Sequence, residues 1–250
     1  MSETNKKMKV CWLSAGVSSF VAGYLAKDVD RFIYIDIENQ HPDSMRFIRD
    51  CDKVLGKETE ILKSELGSVQ NVIEKYRFVN GPYGAKCTEV LKKQVRKKWE
   101  YDHREYDITY VWGFDYAEKH RAERLVQTTP EYNHEFPLID KGITKAAAHG
   151  ICESLGVKRP AMYDLGYSNN NCIGCVKGGM GYWNKIRIDF PFAFKRMAEL
   201  ERLIGHSCIK GVYLDELDPK RGRMEKEIMP DCGILCHLAE QEIAEEDDRA

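Results

Sequence analysis

The feature that most constrains this chain is a repeated change of period in its first half. Short apolar runs of strand character alternate with longer stretches of helical character. Met8–Leu13 reads as a buried strand, and Val17–Lys27 as a helix with small and apolar residues on one face. Arg31–Asp36 is a second strand, rich in isoleucine and aromatic residues, and Pro42–Leu55 a helix opened by Pro42 and Asp43. Glu58–Lys63 and Ile108–Trp112 read as further strands, and Val69–Tyr76, Thr88–Tyr101 and Ala117–Val126 as helices. Strands separated by helices pair through crossovers, and each crossover lays a helix on the sheet. The pattern therefore predicts an α/β fold: an open, mostly parallel twisted sheet with helices on both faces.

Beyond Thr129 the texture changes. Lys145–Leu155 and Phe192–Ile204 read as helices, separated by a loop-rich stretch, Tyr163–Tyr182, with five glycines and three consecutive asparagines. Asp215–Pro230 is charged and irregular, and Glu240–Ala250 is an acidic tail. A length of 250 residues suits one domain of ordinary to large size, or one domain with an appendage. The balance of 38 Lys+Arg against 40 Asp+Glu excludes a globally basic nucleic-acid binder, while leaving room for a local basic patch. No apolar run is long enough to span a membrane, and Met1–Val10 is too polar for a signal peptide, so a soluble, cytoplasmic protein is expected. Nine cysteines under reducing conditions then point to metal, cluster or redox chemistry rather than to structural disulfides.

Two segments suit an anionic ligand. After the first strand comes Ser14-Ala15-Gly16-Val17-Ser18-Ser19, followed by a helix. Small residues let backbone N–H groups approach an anion, the helix N-terminus adds partial positive charge, and the serines add hydroxyl donors. The same residues also suit an ordinary β-α turn with a serine N-cap. Neither the dinucleotide fingerprint nor the Lys-Ser/Thr pair of a Walker loop is present. After the second strand stands Asp36-Ile37-Glu38-Asn39-Gln40-His41-Pro42-Asp43, at the carboxyl end where open α/β sheets place their ligands.

Together these segments resemble the PP-loop superfamily, specifically its phosphoadenosine phosphosulfate reductase branch. Ser14–Ser19 resembles the family's Ser-Gly-Gly-x-Asp-Ser loop, and Asp36…His41-Pro42-Asp43 its stretch after strand two. Gly84-Ala85-Lys86-Cys87-Thr88…Leu91-Lys92, Trp112-Gly113-Phe114…Glu118…Arg121…Arg124 and Leu165-Gly166-Tyr167…Cys172-Ile173-Gly174-Cys175 follow in the family's order, over about residues 8–190. Ala15 replaces a glycine, Asp115 stands where an arginine is common, and Ser18 replaces the loop aspartate. A hydroxyl cannot supply that carboxylate's charge beside phosphate and Mg²⁺. The resemblance implies a nucleotide-binding domain over residues 1–190 and a C-terminal helix with a cysteine-containing tail over 191–250. It implies that an adenine nucleotide, ATP or phosphoadenosine phosphosulfate, is held by Ser14, Ala15, Gly16, Val17, Ser18, Ser19, Asp36, Lys86 and Arg121.

The sharpest local feature is Cys172-Ile173-Gly174-Cys175, whose spacing brings two sulfurs onto one metal or cluster, or makes a redox dithiol. Cys87 joins them by family position, and Cys232 or Cys236 is the candidate fourth ligand, for Zn²⁺ or a [4Fe–4S] cluster. Cys11, Cys51, Cys152 and Cys208 read as small buried hydrophobes. Asp231-Cys232-Gly233-Ile234 also resembles the reductases' mobile C-terminal motif, although Leu235 stands in place of its histidine. There the cysteine attacks the phosphosulfate sulfur, and a thioredoxin-like reductant resolves the product. Cys232 is then nucleophile or ligand, and Cys236 a resolving thiol.

Lys92, Lys93, Arg96, Lys97, Lys98 and Arg104, interleaved with Trp99 and Tyr101, offer a surface for tRNA or single strands, but a solvated amphipathic helix is the preferred reading. Lys177, Lys185 and Arg187 stand near the Cys-x-x-Cys loop and suit an anion pocket. The function expected is reductase-like sulfur chemistry on an adenine nucleotide. The alternatives are ATP-dependent thiolation of tRNA or a small molecule, and a nucleotide-binding module without catalysis. The tail can close over its own site or over that of a second copy in a homodimer.

Overall fold

The computed structural model describes residues 6–81 and 84–224. In chain order its strands are β1 (Lys6–Leu13), β2 (Arg31–Asp36), β3 (Glu60–Lys63), the short pair β4 (Asn80–Gly81) and β5 (Gly84–Ala85), β6 (Tyr106–Val111) and β7 (Asn133–Glu135). Helices α1 (Val17–Leu25), α2 (Asp43–Leu55) and α3 (Val69–Tyr76) alternate with the first strands. A composite helix follows: α4 (Lys86–Thr88), a π-turn over Glu89–Lys93, and α5 (Gln94–Asp102). Then come α6 (Lys119–Thr128), α7 (Pro137–Asp140), α8 (Lys145–Ser154), α9 (Ala161–Asp164), α10 (Met180–Asp189) and α11 (Pro191–Ile204).

Five strands form one parallel sheet in the order β3-β2-β1-β6-β7. The expected α/β class with a parallel sheet is therefore what the chain adopts. β1 lies at the centre, pairing Val10 with Arg31 on one side and with Tyr110 on the other. Val10, Cys11, Trp12 and Leu13 are all buried, as a strand covered on both faces requires. Successive side chains of a strand point to opposite faces. Cys11 meets α1 at Gly23, where an added Cβ would lie 3.1 Å from the Cys11 Sγ and 2.9 Å from the Phe32 ring. Trp12 meets Trp99 of α5 edge to face, with ring centroids 5.6 Å apart. Helices thus cover both faces.

The described residues divide into two compact units. The first comprises 6–35, 42–62 and 96–161, and the second 36–41, 63–81, 84–95 and 162–224. The first holds most of the parallel sheet. The second is built largely around α3, α10 and α11, with Tyr182, Trp183, Ile186 and Met197 in its core. Helix α10 lies partly inside the stretch read as loop. Gly181, Tyr182, Trp183, Asn184 and Ile186 are all buried, so this helix is covered on several sides and shows no amphipathic period. Strand β7 also escaped the reading, because three polar residues, Asn-His-Glu, carry no strand alternation. Among the described residues no helix is long and apolar enough to cross a membrane.

The basic segment is resolved residue by residue. Arg96 is buried and paired with Glu100 at 2.8 Å, and Trp99 is buried between Trp12 and His103. Only Lys97, Lys98, Tyr101 and Arg104 are left on the outer face of α5 and just beyond it. Replacing Trp99 with alanine is expected to cost about 3–5 kcal/mol of stability. Tyr101→Ala, at a residue 66% exposed, is expected to stay within about 0.5 kcal/mol. Urea unfolding of both variants checks this contrast.

Candidate functional site

In the first unit the sheet reverses its direction of growth at β1: the chain adds β2 and β3 on one side, then crosses to β6 on the other. The loops leaving β1 and β6 therefore flank a topological switch point, the usual ligand crevice of such sheets. The β1 loop is Ser14–Gly16. Ala15 turns it in the left-handed region, at φ 55°. The hydroxyl of Ser19 closes it, accepting from the Ser14 N–H at 3.0 Å and donating to the Gly16 carbonyl at 2.9 Å. The Ser14 hydroxyl lies 3.1 Å from the same oxygen. Helix α1 begins after Gly16, which has no side chain with which to cap the first turn. Ser14 and Ser18 remain half-buried, whereas Ser19 is 6% exposed.

The β6 loop lies directly on this turn. A Cβ on Gly113 would sit 2.6 Å from both the N and the Cα of Ser19, so only glycine fits. Asp115 caps the next turn: its carboxylate accepts from the Ala117 N–H at 2.9 Å, and its own N–H donates to Glu118 at 3.1 Å. The residue in the arginine position of the family pattern is thus a buried helix cap. Arg121 is buried, bonded to Glu118, with its guanidinium 5.0 Å from the centre of the Phe114 ring. His120 is exposed, as a surface helix residue would be.

The second unit gathers the cysteines. Cys87, Cys172 and Cys175 line one cavity of about 20 Å³, together with Ile37, Lys92 and Lys177. The Cys-x-x-Cys turn is held by one phenol. Tyr182 Oη accepts from the Cys175 N–H at 2.8 Å and donates to the Cys172 carbonyl at 2.9 Å. Its ring fills the place where a side chain on Gly178 would stand, 1.9 Å from the ideal Cβ. Gly174 supplies the left-handed residue the turn needs, at φ 72°.

The segment after β2 reaches the same turn. The Asn39 carbonyl accepts from the Ile173 N–H at 2.7 Å, while the Asn39 side chain ties Val69 and Gln70. Asn80 Nδ2 donates to both the Val176 carbonyl, at 2.6 Å, and the Cys208 carbonyl, at 3.1 Å. Among the described residues, no three thiol, imidazole or carboxylate groups converge into a preformed metal site.

Ser14–Ser19 and Arg121 belong to the first unit, and Asp36, Lys86, Cys87, Cys172 and Cys175 to the second. Asp36 pairs with Lys63 at 2.9 Å. Lys86 pairs with Glu89 at 2.7 Å and lies 4.9 Å from the centre of the Tyr76 ring. Of the cations read near the Cys-x-x-Cys loop, Lys177 lines the cavity. Lys185 pairs with Asp189 at 2.8 Å, and Arg187 donates to the Leu214 and Leu217 carbonyls. Cys232 and Cys236 lie outside the described residues. Burial pushes the thiols of Cys11 up to about 12 and Cys152 up to about 11, and raises Cys51 as well, so these three are neutral core residues. Tyr182, Asn39, Asn80 and Asp115 were missed as positioning residues. The first three carry no local signal because their partners are remote in sequence, whereas Asp115 and Glu118 form a capping box whose spacing was legible.

The chain matches no protein-family model, and no curated protein matches it.

Two predictions follow from this geometry. Tyr182→Phe leaves the buried Cys175 N–H without its acceptor and is expected to cost about 1–3 kcal/mol. It should also speed alkylation of Cys175, read by mass spectrometry, whereas Tyr101→Phe, at an exposed residue, should do neither. The second concerns His134, whose Nδ1 accepts from Trp112 Nε1 at 2.9 Å while its Nε2 meets the Thr129 carbonyl. Protonating Nδ1 would set two donors face to face, and burial likewise holds the His134 pKa below 6.5. The unfolded chain therefore binds this proton more readily. Stability is full above about pH 6.5 and falls as the pH drops towards the folded value. His134→Gln should flatten that decline in urea midpoints between pH 7 and 5; His149, also held down by burial, keeps its own share.

Proposed function

We propose that the protein is an enzyme resembling phosphoadenosine phosphosulfate reductases, with a PP-loop fold, that binds an adenine nucleotide at Ser14–Ser19 and reduces its activated sulfate with cysteine thiols. The observation that carries this reading is the β1 turn: small residues, a left-handed Ala15 and the uncapped start of α1 at the switch point of a parallel sheet. The N–H groups of Val17 and Ser18 and the Ser18 hydroxyl would bind the phosphate, with Ser14 beside them. The fixed bonds of Ser19 give it a different role, holding the turn in shape. By family position Arg121, in the same unit, would join the nucleotide site. Lacking a carboxylate at Ser18, the loop suits holding a phosphosulfate better than cleaving ATP with Mg²⁺.

In this reaction the Cys232 thiolate attacks the sulfur of the phosphosulfate. The new S–S bond forms as the S–O bond to phosphate breaks, and the nucleotide leaves as its phosphate. The Cys236 thiol, or one from a thioredoxin-like dithiol, then attacks the Cys232 sulfur and expels sulfite. A disulfide is left, which the dithiol reductant returns to thiols. Sulfur is reduced by two electrons and two thiols are oxidised, so the cycle balances.

A second reading is favoured by the cavity. Cys87, Cys172 and Cys175, brought together beside Lys92 and Lys177, also suit an ATP-dependent thiolation enzyme. In that chemistry ATP would adenylate an acceptor oxygen before sulfur displaced AMP. Anaerobic calorimetric titration with ATP, adenosine phosphosulfate and phosphoadenosine phosphosulfate, with the adenine products followed in the same samples, separates the two. Tight phosphosulfate binding with release of sulfite and the bisphosphate nucleotide is expected. Preference for ATP with formation of AMP and pyrophosphate would replace the first reading by the second. Binding without turnover, unchanged in a C175S/C232S double variant, would leave a non-catalytic module.

A further inference from the structure

We propose that the outer stripe of α11 is a self-association surface, on which a second copy of this chain packs with its own α11 running antiparallel. The inference is independent of the nucleotide reading. It rests on the order and spacing of four side chains.

The first observation is which side of the helix the fold already uses. Met197, Ala198, Leu200 and Glu201 are buried, and Phe194 meets Trp183 with ring centroids 6.3 Å apart. The other side carries Phe192, Arg196, Glu199 and Leu203, all exposed, with Phe192 at 88% and Leu203 at 63%. At 3.6 residues per turn, steps of four, three and four residues keep these side chains on one narrow stripe, about 16 Å long. Glu74 of α3 stands across from the stripe, in a groove of about 540 Å³. A single exposed apolar residue needs no explanation. Two of them, set at the ends of a stripe with the a/d spacing of a coiled coil, match a helix-packing seam.

The second observation is charge. Arg196 makes no ion pair among the described residues, and there Glu199 meets only Lys195, at 3.9 Å. Along the stripe the order is apolar, basic, acidic, apolar. Turned end for end, that order is its own complement. Phe192 then lies against the second copy's Leu203, and Arg196 against its Glu199, with the same two contacts repeated in reverse. The twofold axis passes level with the bond between Met197 and Ala198, and one patch meets itself, as in most homodimers.

The same charges fix the direction. A parallel pair in register would set Arg196 on Arg196 and Glu199 on Glu199, and facing like charges oppose association. Beside the seam, Lys195 comes near the second copy's Arg202, whose charge is already matched by Asp215, at 2.9 Å, and by Glu216. One helical stripe is small beside a standard protein interface, so the dimer should form and dissociate with concentration.

The test is sedimentation velocity of the full chain under reducing conditions, over a wide range of concentration. We expect a concentration-dependent dimer in the wild type, and its loss in Phe192→Asp, Arg196→Glu and Glu199→Arg. The double variant R196E/E199R should dimerise again. So should an equimolar mixture of R196E with E199R, because every 196–199 contact between the two chains then joins opposite charges. Recovery in the mixture cannot arise from ion pairs within one helix or from repaired folding. All three sites are exposed, so circular dichroism and unfolding temperatures should match the wild type. A chain that stays monomeric at every concentration would overturn the proposal and leave the stripe to residues 225–250 or to another protein. A dimer that survives Phe192→Asp and Arg196→Glu would overturn α11 as its surface. Loss in the single variants without recovery in the mixture would overturn the antiparallel pairing.

Discussion

The contact between two chain reversals, Gly113 on Ser18 and Ser19, governs the carboxyl edge of the sheet in the first unit. β1 and β6 are neighbours that exit in the same direction, so their loops compete for the same space. Any side chain at position 113 would strike the backbone where α1 begins. With glycine there, the turn closes on the Ser19 hydroxyl, Ala15 takes a left-handed conformation, and α1 starts without a side-chain cap. That uncapped first turn is a consequence of the packing, and it is the feature on which the proposal of an anion there rests.

In the second unit, irregular backbone is fixed by buried polar side chains. Tyr182, Asn39, Asn80 and Glu201 each bond to main-chain N–H or carbonyl groups in segments remote in sequence. Such bonds replace the ladder that a strand or helix would have provided. They set the backbone positions of Cys172, Cys175 and Cys208. The π-turn between α4 and α5 belongs to the same pattern: it carries Lys92 to the cavity, one helical stretch after Cys87.

Much of the architecture was legible from period alone. The first three strands and the helices between them fall close to where alternation placed them, because buried parallel strands and amphipathic helices write different repeats. Helix α10 was hidden by its burial on several sides, and β7 by its three polar residues. At the candidate site, spacing identified Cys172 and Cys175, whereas Cys87 was picked out only through resemblance. The grouping of all three around one cavity is a property of the tertiary fold. Trp99 could not be told from a base-stacking surface residue by sequence, since its burial depends on Trp12, far away in the chain. Asp115 looked like a departure from a family pattern, and its capping bonds explain it. Glu201 carried no signal, because a glutamate in a helix ordinarily faces water.

The central claim is that the Ser14–Ser19 turn is where the nucleotide phosphate binds, and hydrogen–deuterium exchange tests it most directly. The full chain would be compared with and without saturating AMP, the part shared by every nucleotide under consideration. The account predicts slowed exchange in peptides covering Ser14–Phe20 and Trp112–Asp115, since a bound phosphate would occupy the first amides of α1 and brace the loop packed on them. Binding of AMP with unchanged exchange in both peptides would contradict it and place the nucleotide elsewhere.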